Sequence, residues 1–315
     1  MKAKTIKAIL SKKLEAWVGS IEDPEVQELV KNNTIITGGC IVSMLLKEPV
    51  NDFDIYFRTK EAALAVAKYY VGRFSIKKKS GIDCKIVVID HLPDRVQIMV
   101  KSAGIASEEG ADKPYEYFEQ RAEGEAGEYV SQIITDPGDI EETYEETEQK
   151  ALEVDDEDGK PRYRPIFLST NAITLSNKLQ IVLRFFGEPD EIHKNYDFVH
   201  CTNYWTSWDG NLELRKEALE AILTRELVYG GSKYPLCSIF RLRKFIKRNW
   251  TINAGQILKI AMQLNALDLT KVSVLQDQLT GVDCAYFLEV IKKLKDKDPE
   301  KVNGAYLIEI IDRMF

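Results

Sequence analysis

The stretch Thr34-Ile35-Ile36-Thr37-Gly38-Gly39-Cys40-Ile41-Val42-Ser43-Met44-Leu45-Leu46, with Asp52-Phe53-Asp54-Ile55-Tyr56-Phe57 shortly after it, decides how this chain folds. Residues 34–37 read as a short strand running into a double glycine, and residues 41–46 as a short helix behind it that Pro49 ends. Asp52 and Asp54 stand at i and i+2, so in a strand both carboxylates share one face while Phe53 and Ile55 point to the other. Two carboxylates about 5 Å apart repel by roughly 3 kcal/mol at an effective dielectric of about 20. A divalent cation turns that cost into a binding site. Thr37-Gly38-Gly39 supplies backbone free of bulky side chains, whose N–H groups can approach a phosphate. The pattern suits a metal-bound nucleoside triphosphate.

At 315 residues the chain is long enough for two domains with separate cores. An apolar fraction of 44% and a mean hydropathy of -0.26 are those of a soluble globular protein. No stretch has the length of a membrane span, and Met1-Lys2-Ala3-Lys4 opens no secretory signal. The expected location is the cytoplasm, away from membranes. Cys40, Cys84, Cys201, Cys237 and Cys284 lack paired spacing and read as reduced core residues. His193, His200 and Cys201 lack a fourth ligand for zinc. The net charge of -7 hides an uneven distribution: residues 105–160 hold 20 acidic and 4 basic residues, the rest of the chain 30 acidic and 39 basic. A basic scaffold interrupted by an acidic insertion suits a polyanion binder.

Residues 5–32 read as two helices, the second begun by Asp23 as N-cap and Pro24 at its first position. Thr59 caps a helix over about 60–71 that Gly72 ends. Strand signals follow at 74–79, 82–90 and 95–102. From about 103 to 160 the periodicity dissolves into a Glu-rich, glycine-punctuated insertion that reads as partly ordered. Strand signals resume at 163–168, 172–174, 179–184 and 196–199. After the turn Trp208-Asp209-Gly210 the spacing becomes helical, over 212–229, 235–250, 254–264, 283–294 and 306–314. The expected class is α+β. N-terminal helices over 1–34 pack on a head domain over 35–210 that carries the insertion at about 103–160, and an all-helical domain follows over 211–315.

The segment from Gly38 to Phe57 resembles the nucleotidyltransferases built on the DNA polymerase beta-like palm, specifically the poly(A) polymerase and tRNA CCA-adding group. That group has a Gly-Gly turn, a short helix containing Leu-Leu and a metal-binding D-x-D in this order, met here by Gly38-Gly39, Leu45-Leu46 and Asp52-Phe53-Asp54. Val42-Ser43 stand where the family has Arg-Asp, and Lys47 where it has a glycine. The resemblance implies a nucleotidyltransferase palm, a mixed sheet with flanking helices. It further implies Mg²⁺-dependent transfer of a nucleoside monophosphate from an NTP, ATP first, to an acceptor such as an RNA 3′ end, as in tRNA processing. Two Mg²⁺ ions would sit on Asp52 and Asp54, with Gly38 and Gly39 amides gripping the phosphates and Ser43 as a hydroxyl donor.

A third carboxylate is expected of this palm. Asp197, within Tyr196-Asp197-Phe198, fits first as third metal ligand and general base, and also resembles the family's Arg-Arg-Asp-Phe motif, which would make it a ribose or structural contact. Gln180 is the alternative position and would leave a site of two carboxylates. Residues 234–245 resemble the helix that follows the catalytic head, with Arg241 as a nucleotide contact and Ser238 in place of the base-reading arginine. On a helix Leu242, Phe245, Ile246 and Trp250 would face the core, while Arg241, Lys244 and Arg248 line another side. With Lys247 these form a candidate nucleic-acid-binding run, and Lys77-Lys78-Lys79 a second. A solvated helix face is the commoner origin of such runs. Two other outcomes stay open: a nucleotidylyltransferase acting on a small molecule or protein, and a catalytically silent protein that retains the fold.

Overall fold

The computed structural model describes residues 1–73, 83–103, 163, 165–168, 171–269, 271, 274 and 278. The acidic insertion, the strand expected at 74–79 with its lysines, and the helices expected over 283–294 and 306–314 lie outside the described residues. The described chain falls into two units. The first runs to Ile192 and takes back Tyr204–Glu213; the second holds His193–Asn203 and the residues from Leu214 onward.

The first unit is α+β. Helix α1 (Ala3–Ser20) is followed by α2 (Pro24–Asn33), whose capping follows the sequence signal: Asp23 Oδ1 accepts from the Glu25 and Val26 amides at 2.9 and 3.3 Å. Then come β1 (Thr34–Thr37), α3 (Gly39–Leu46), β2 (Phe53–Phe57) and α4 (Lys60–Arg73), the last capped by Thr59 and running one residue past Gly72. Strands β3 (Asp83–Ile89) and β4 (Gln97–Ala103) form a separate antiparallel hairpin. Strands β5 (Pro165–Leu168), β6 (Ala172–Leu175), β7 (Leu179–Phe186), β8 (Tyr204–Thr206) and β9 (Leu212–Glu213) complete a seven-stranded sheet, ordered β5-β6-β7-β2-β1-β8-β9. The β2–β7 pairing is parallel and its other described pairings are antiparallel, so the sheet is mixed.

Alternation gives this sheet two unlike faces. Phe53, Ile55 and Phe57 of β2 share one face with Ile36 of β1 and Ile181 of β7, all of them buried. Each such side chain contributes about 1.5–3 kcal/mol on leaving water. Helix α1 covers this face: the Trp17 ring lies 6.4 Å from that of Phe57, and Trp17 Nε1 donates to the Tyr70 hydroxyl of α4 at 2.7 Å. Asp54 therefore stands on the opposite face, level with Thr37 and Gln180.

The second unit departs from an all-helical expectation. Among its described residues the helices are α6 (Lys216–Thr224), α7 (Pro235–Lys247) and α8 (Ala254–Asn265), after a short α5 (Pro189–His193) at the crossing between units. Residues 212–229 do not form one helix. Arg225 takes the left-handed conformation at φ 51° and ends α6, and β10 (Glu226–Leu227) then pairs in parallel with β11 (Thr251–Ile252). The strand expected at 196–199 is replaced by a bend at Asp197, a lone bridge between Phe198 and Tyr229, and a 3₁₀ turn over Val199–Cys201. The Gly230 amide donates to Asp197 O at 2.8 Å and the Val199 amide to Val228 O at 3.0 Å; the Cys201 amide then turns back to Phe198 O. Ile246, expected in the core, is half exposed, whereas Trp250 is buried beyond the end of α7. Cys40 and Cys237 are buried thiols outside any disulfide, and Cys201 is a half-buried one. Among the described residues no helix is long and apolar enough to cross a membrane.

Candidate functional site

Strand β1 ends at Thr37, paired laterally with Asp54, and the chain must leave the sheet there to begin α3 at Gly39. Gly38 makes that exit at φ 89° and ψ −151°, a region essentially reserved for glycine. A Cβ on Gly38 would lie 2.6 Å from Asp54 Oδ2. The carboxylate thus rests against the backbone at the N-cap of α3, where the first-turn amides and the positive end of the helix dipole favour negative charge. The same feature accepts phosphate oxygens. A Cβ on Gly39 would meet open space. Ser43 sits in the second turn of α3 and is half-buried.

Asp52 immediately precedes β2 and Asp54 is its second residue; both are half-buried. Laterally, Asp54 is paired with Thr37 on one side and with Gln180 of β7 on the other. Continuing outward, Thr174 pairs with Gln180, Tyr204 with Thr37, and Glu213 with Tyr204. A row of polar side chains therefore crosses the sheet through Asp54. Among the described residues no group of three or more His, Cys, Asp or Glu is placed to hold a metal ion. The donor set here is two carboxylates with an amide beside them. Such hard oxygen donors fit Mg²⁺, which is commonly held by one or two carboxylates plus substrate phosphates. A groove of about 780 Å³ lined by Glu22, Asp23, Pro24, Glu25, Tyr69 and Arg73 lies on α2 and α4 and shares none of these residues.

Asp197 belongs to the second unit, not to the sheet. Its Oδ2 accepts from Arg241 Nη1 at 2.8 Å, and its side chain is 12% exposed against 33% for the arginine. Replacing Arg241→Met leaves that carboxylate buried with its cation gone, and we expect a loss of about 2 kcal/mol in urea unfolding, the arginine being partly screened. Asp197→Asn, which keeps a hydrogen-bond acceptor, should cost less. Along α7, Lys244 is half-buried and Lys247 exposed; Arg248 is exposed at the C-cap, its carbonyl accepting from Arg225 Nη1 at 3.3 Å.

Two elements that local sequence patterns did not single out adjoin the carboxylates. The β6–β7 turn places Asn177 and Lys178 at φ 64° and 59°, both left-handed without a glycine. Lys178 O accepts from the Phe53 amide at 2.7 Å, and Lys178 Nζ donates to Val50 O at 3.3 Å. Lys13 of α1 donates to Asn177 O, with its ammonium 4.9 Å from the Phe53 ring centre and 5.3 Å from that of Tyr163. Burial first, and the neighbouring Lys178 charge second, push Lys13 down to about 8. A three-residue Asn-containing connection between strands, Ser176-Asn177-Lys178, is a recognisable turn signal, but nothing local marks Lys13.

The Gabija anti-defense 2 family model matches residues 8–225, which take in the whole seven-stranded sheet, Gly38, Asp52, Asp54 and Asp197 but not Arg241. A curated relative, Gabija anti-defense 2 of Bacillus phage SPbetaL7, is 24% identical over 139 residues. That match spans 44% of this chain and about a third of the relative's length, 33%. The crystal structure of the Bacillus stearothermophilus CCA-adding enzyme in complex with CTP aligns over 81% of this chain and 42% of its own, at 12% identity and a TM-score of 0.33, too low to establish a shared fold. With the family match covering more than half of its length, this chain belongs to the Gabija anti-defense 2 family.

Proposed function

We propose that this protein acts against the Gabija system through a nucleotidyltransferase-type palm that binds a metal-bound nucleoside triphosphate and transfers its nucleoside monophosphate to an acceptor. One observation carries the reading: Gly38 brings the backbone at the N-terminus of α3 so close to Asp54 that a Cβ would lie 2.6 Å from its carboxylate. Under this reading the amides receive phosphate oxygens and the carboxylate beside them receives the metal.

Asp52 and Asp54 would hold two Mg²⁺ ions, which would neutralise the triphosphate and favour ionisation of the attacking hydroxyl. The chain's own residues do the rest. Amides at Gly38 and Gly39 orient the phosphates, and Gln180, level with Asp54 across the sheet, offers one further donor and acceptor. Transfer forms a bond from the acceptor oxygen to the α-phosphorus and breaks the α–β bridge. Pyrophosphate leaves and the hydroxyl proton passes to solvent or to a carboxylate. Asp197, Ser43 and Arg241 are proposed as supporting contacts, and Lys244, Lys247 and Arg248 as an RNA-backbone contact.

An RNA 3′ end is the acceptor we propose first. The basic run behind it, residues 241–248, lies outside the family match at 8–225, which favours a second reading: a component of the Gabija system as the acceptor. Incubation with α-phosphate-labelled ATP and Mg²⁺, with total RNA or with Gabija proteins, separates the two. Label in RNA that is lost in Asp52→Ala supports the first, and label in a Gabija protein that is lost in the same variant supports the second. We expect Asp52→Ala to reduce labelling by at least about 100-fold. With no transfer and no triphosphate binding, the palm is a silent scaffold.

A further inference from the structure

We propose that Lys13 and the Asn177–Lys178 turn are positioning residues that set the Asp52–Asp54 carboxylates from behind the sheet; this rests on the metal–triphosphate reading above. Phe53 lies between the two aspartates, and two separate contacts hold it. Its amide donates to Lys178 O at 2.7 Å, and its ring faces the Lys13 ammonium at 4.9 Å. The first fixes the backbone laterally, within the sheet, and the second fixes the side chain on the apolar face. Lys178 Nζ also ties Val50 O at 3.3 Å, so the segment leading into Asp52 is bound to the same turn. Lys13 closes the circuit by donating to Asn177 O, and the Tyr163 hydroxyl donates to Lys13 O at 3.5 Å. A pair of carboxylates that repel each other needs such restraint if the strand is not to twist them apart before a cation arrives.

Stability alone does not account for this arrangement. Lys178, left-handed without being glycine, carries a backbone strain of about 1–2 kcal/mol, and an ammonium held down to about 8 by burial is charged there at a cost. A methionine at position 13 would fill similar space without the charge. The two effects therefore separate by experiment: removing the ammonium should spare the fold and harm the site.

The test measures Mn²⁺ bound with ATP to the full chain by electron paramagnetic resonance, alongside the thermal midpoint of each variant. Wild type is expected to bind and Asp52→Asn to lose binding. Lys13→Met should weaken Mn²⁺ binding about tenfold, the effect typical of supports behind metal ligands, with an unchanged or higher midpoint. Lys178→Met should weaken it in the same direction, and Lys13→Arg, which keeps a cation over Phe53, should recover most of the affinity. Wild-type affinity in Lys13→Met, an arginine variant as weak as the methionine one, or affinity and midpoint falling together each overturns the positioning role and leaves the metal–triphosphate reading standing. No Mn²⁺ bound by wild type overturns both.

Discussion

Substituting Gly38→Ala is expected to destabilise the first unit by about 2–4 kcal/mol and to remove any nucleotidyl transfer. Two costs add. At φ 89° an alanine is strained by about 1–2 kcal/mol, and its Cβ at 2.6 Å from Asp54 Oδ2 must push the carboxylate or the turn aside, for roughly 1–2 kcal/mol more. A double substitution isolates the second cost. Gly38→Ala with Asp54→Ala removes the clash but not the dihedral strain, so it should recover about half the loss in urea unfolding. Gly39→Ala is the control: its Cβ meets open space at the first turn of a helix, and stability should hold or rise slightly. Equal losses at both glycines would mean that the Gly38–Asp54 contact is not what the turn is built around.

Acidification should unfold the second unit through His200. This ring is fully buried, with ring centres of Phe198, Phe245 and Trp250 at 6.1, 4.6 and 4.3 Å, and among the described residues neither nitrogen has a hydrogen-bond partner. Burial pushes it down to about 4, against a smaller opposite pull from Asp197. A folded pKa below the unfolded value, 6.5, means that the unfolded chain takes up the proton first. The stabilising contribution is thus complete above pH 6.5 and is lost as pH falls towards 4, by about 3 kcal/mol in all. Urea midpoints across that range, compared with His200→Phe, test the point. The phenylalanine variant should lose most of the slope, and an unchanged slope would place the acid sensitivity elsewhere.

Much of the first unit was legible locally. The β-branched run at 34–37, alternation around Asp52 and Asp54, Asp23-Pro24 and Thr59 mark strand, helix start and cap within a few residues of themselves, and the structure has each of them in place. Tyr204–Thr206 was not legible, because three residues are too few to show alternation and it becomes a strand only by pairing with β1. The 212–229 segment misled for the opposite reason. Its apolar spacing is helical, but Arg225 adopts a left-handed conformation and the residues after it pair with Thr251–Ile252. At 196–199, hydrogen bonds to residues 228–230 outweighed strand propensity.

By itself the sequence determined the unit in which Gly38-Gly39 is followed by a short helix and then by Asp52 and Asp54. Strand alternation, a glycine-only dihedral and a helix cap are all settled within one or two turns of chain. Only the tertiary structure decided what stands beside that unit. Gln180 reached Asp54 through a parallel pairing between distant strands, Lys13 reached Phe53 through the packing of α1 on the sheet, and Asp197 was taken by Arg241 in the other unit. Lateral neighbours in a sheet and buried ion pairs depend on which distant surfaces meet, and no local spacing encodes that.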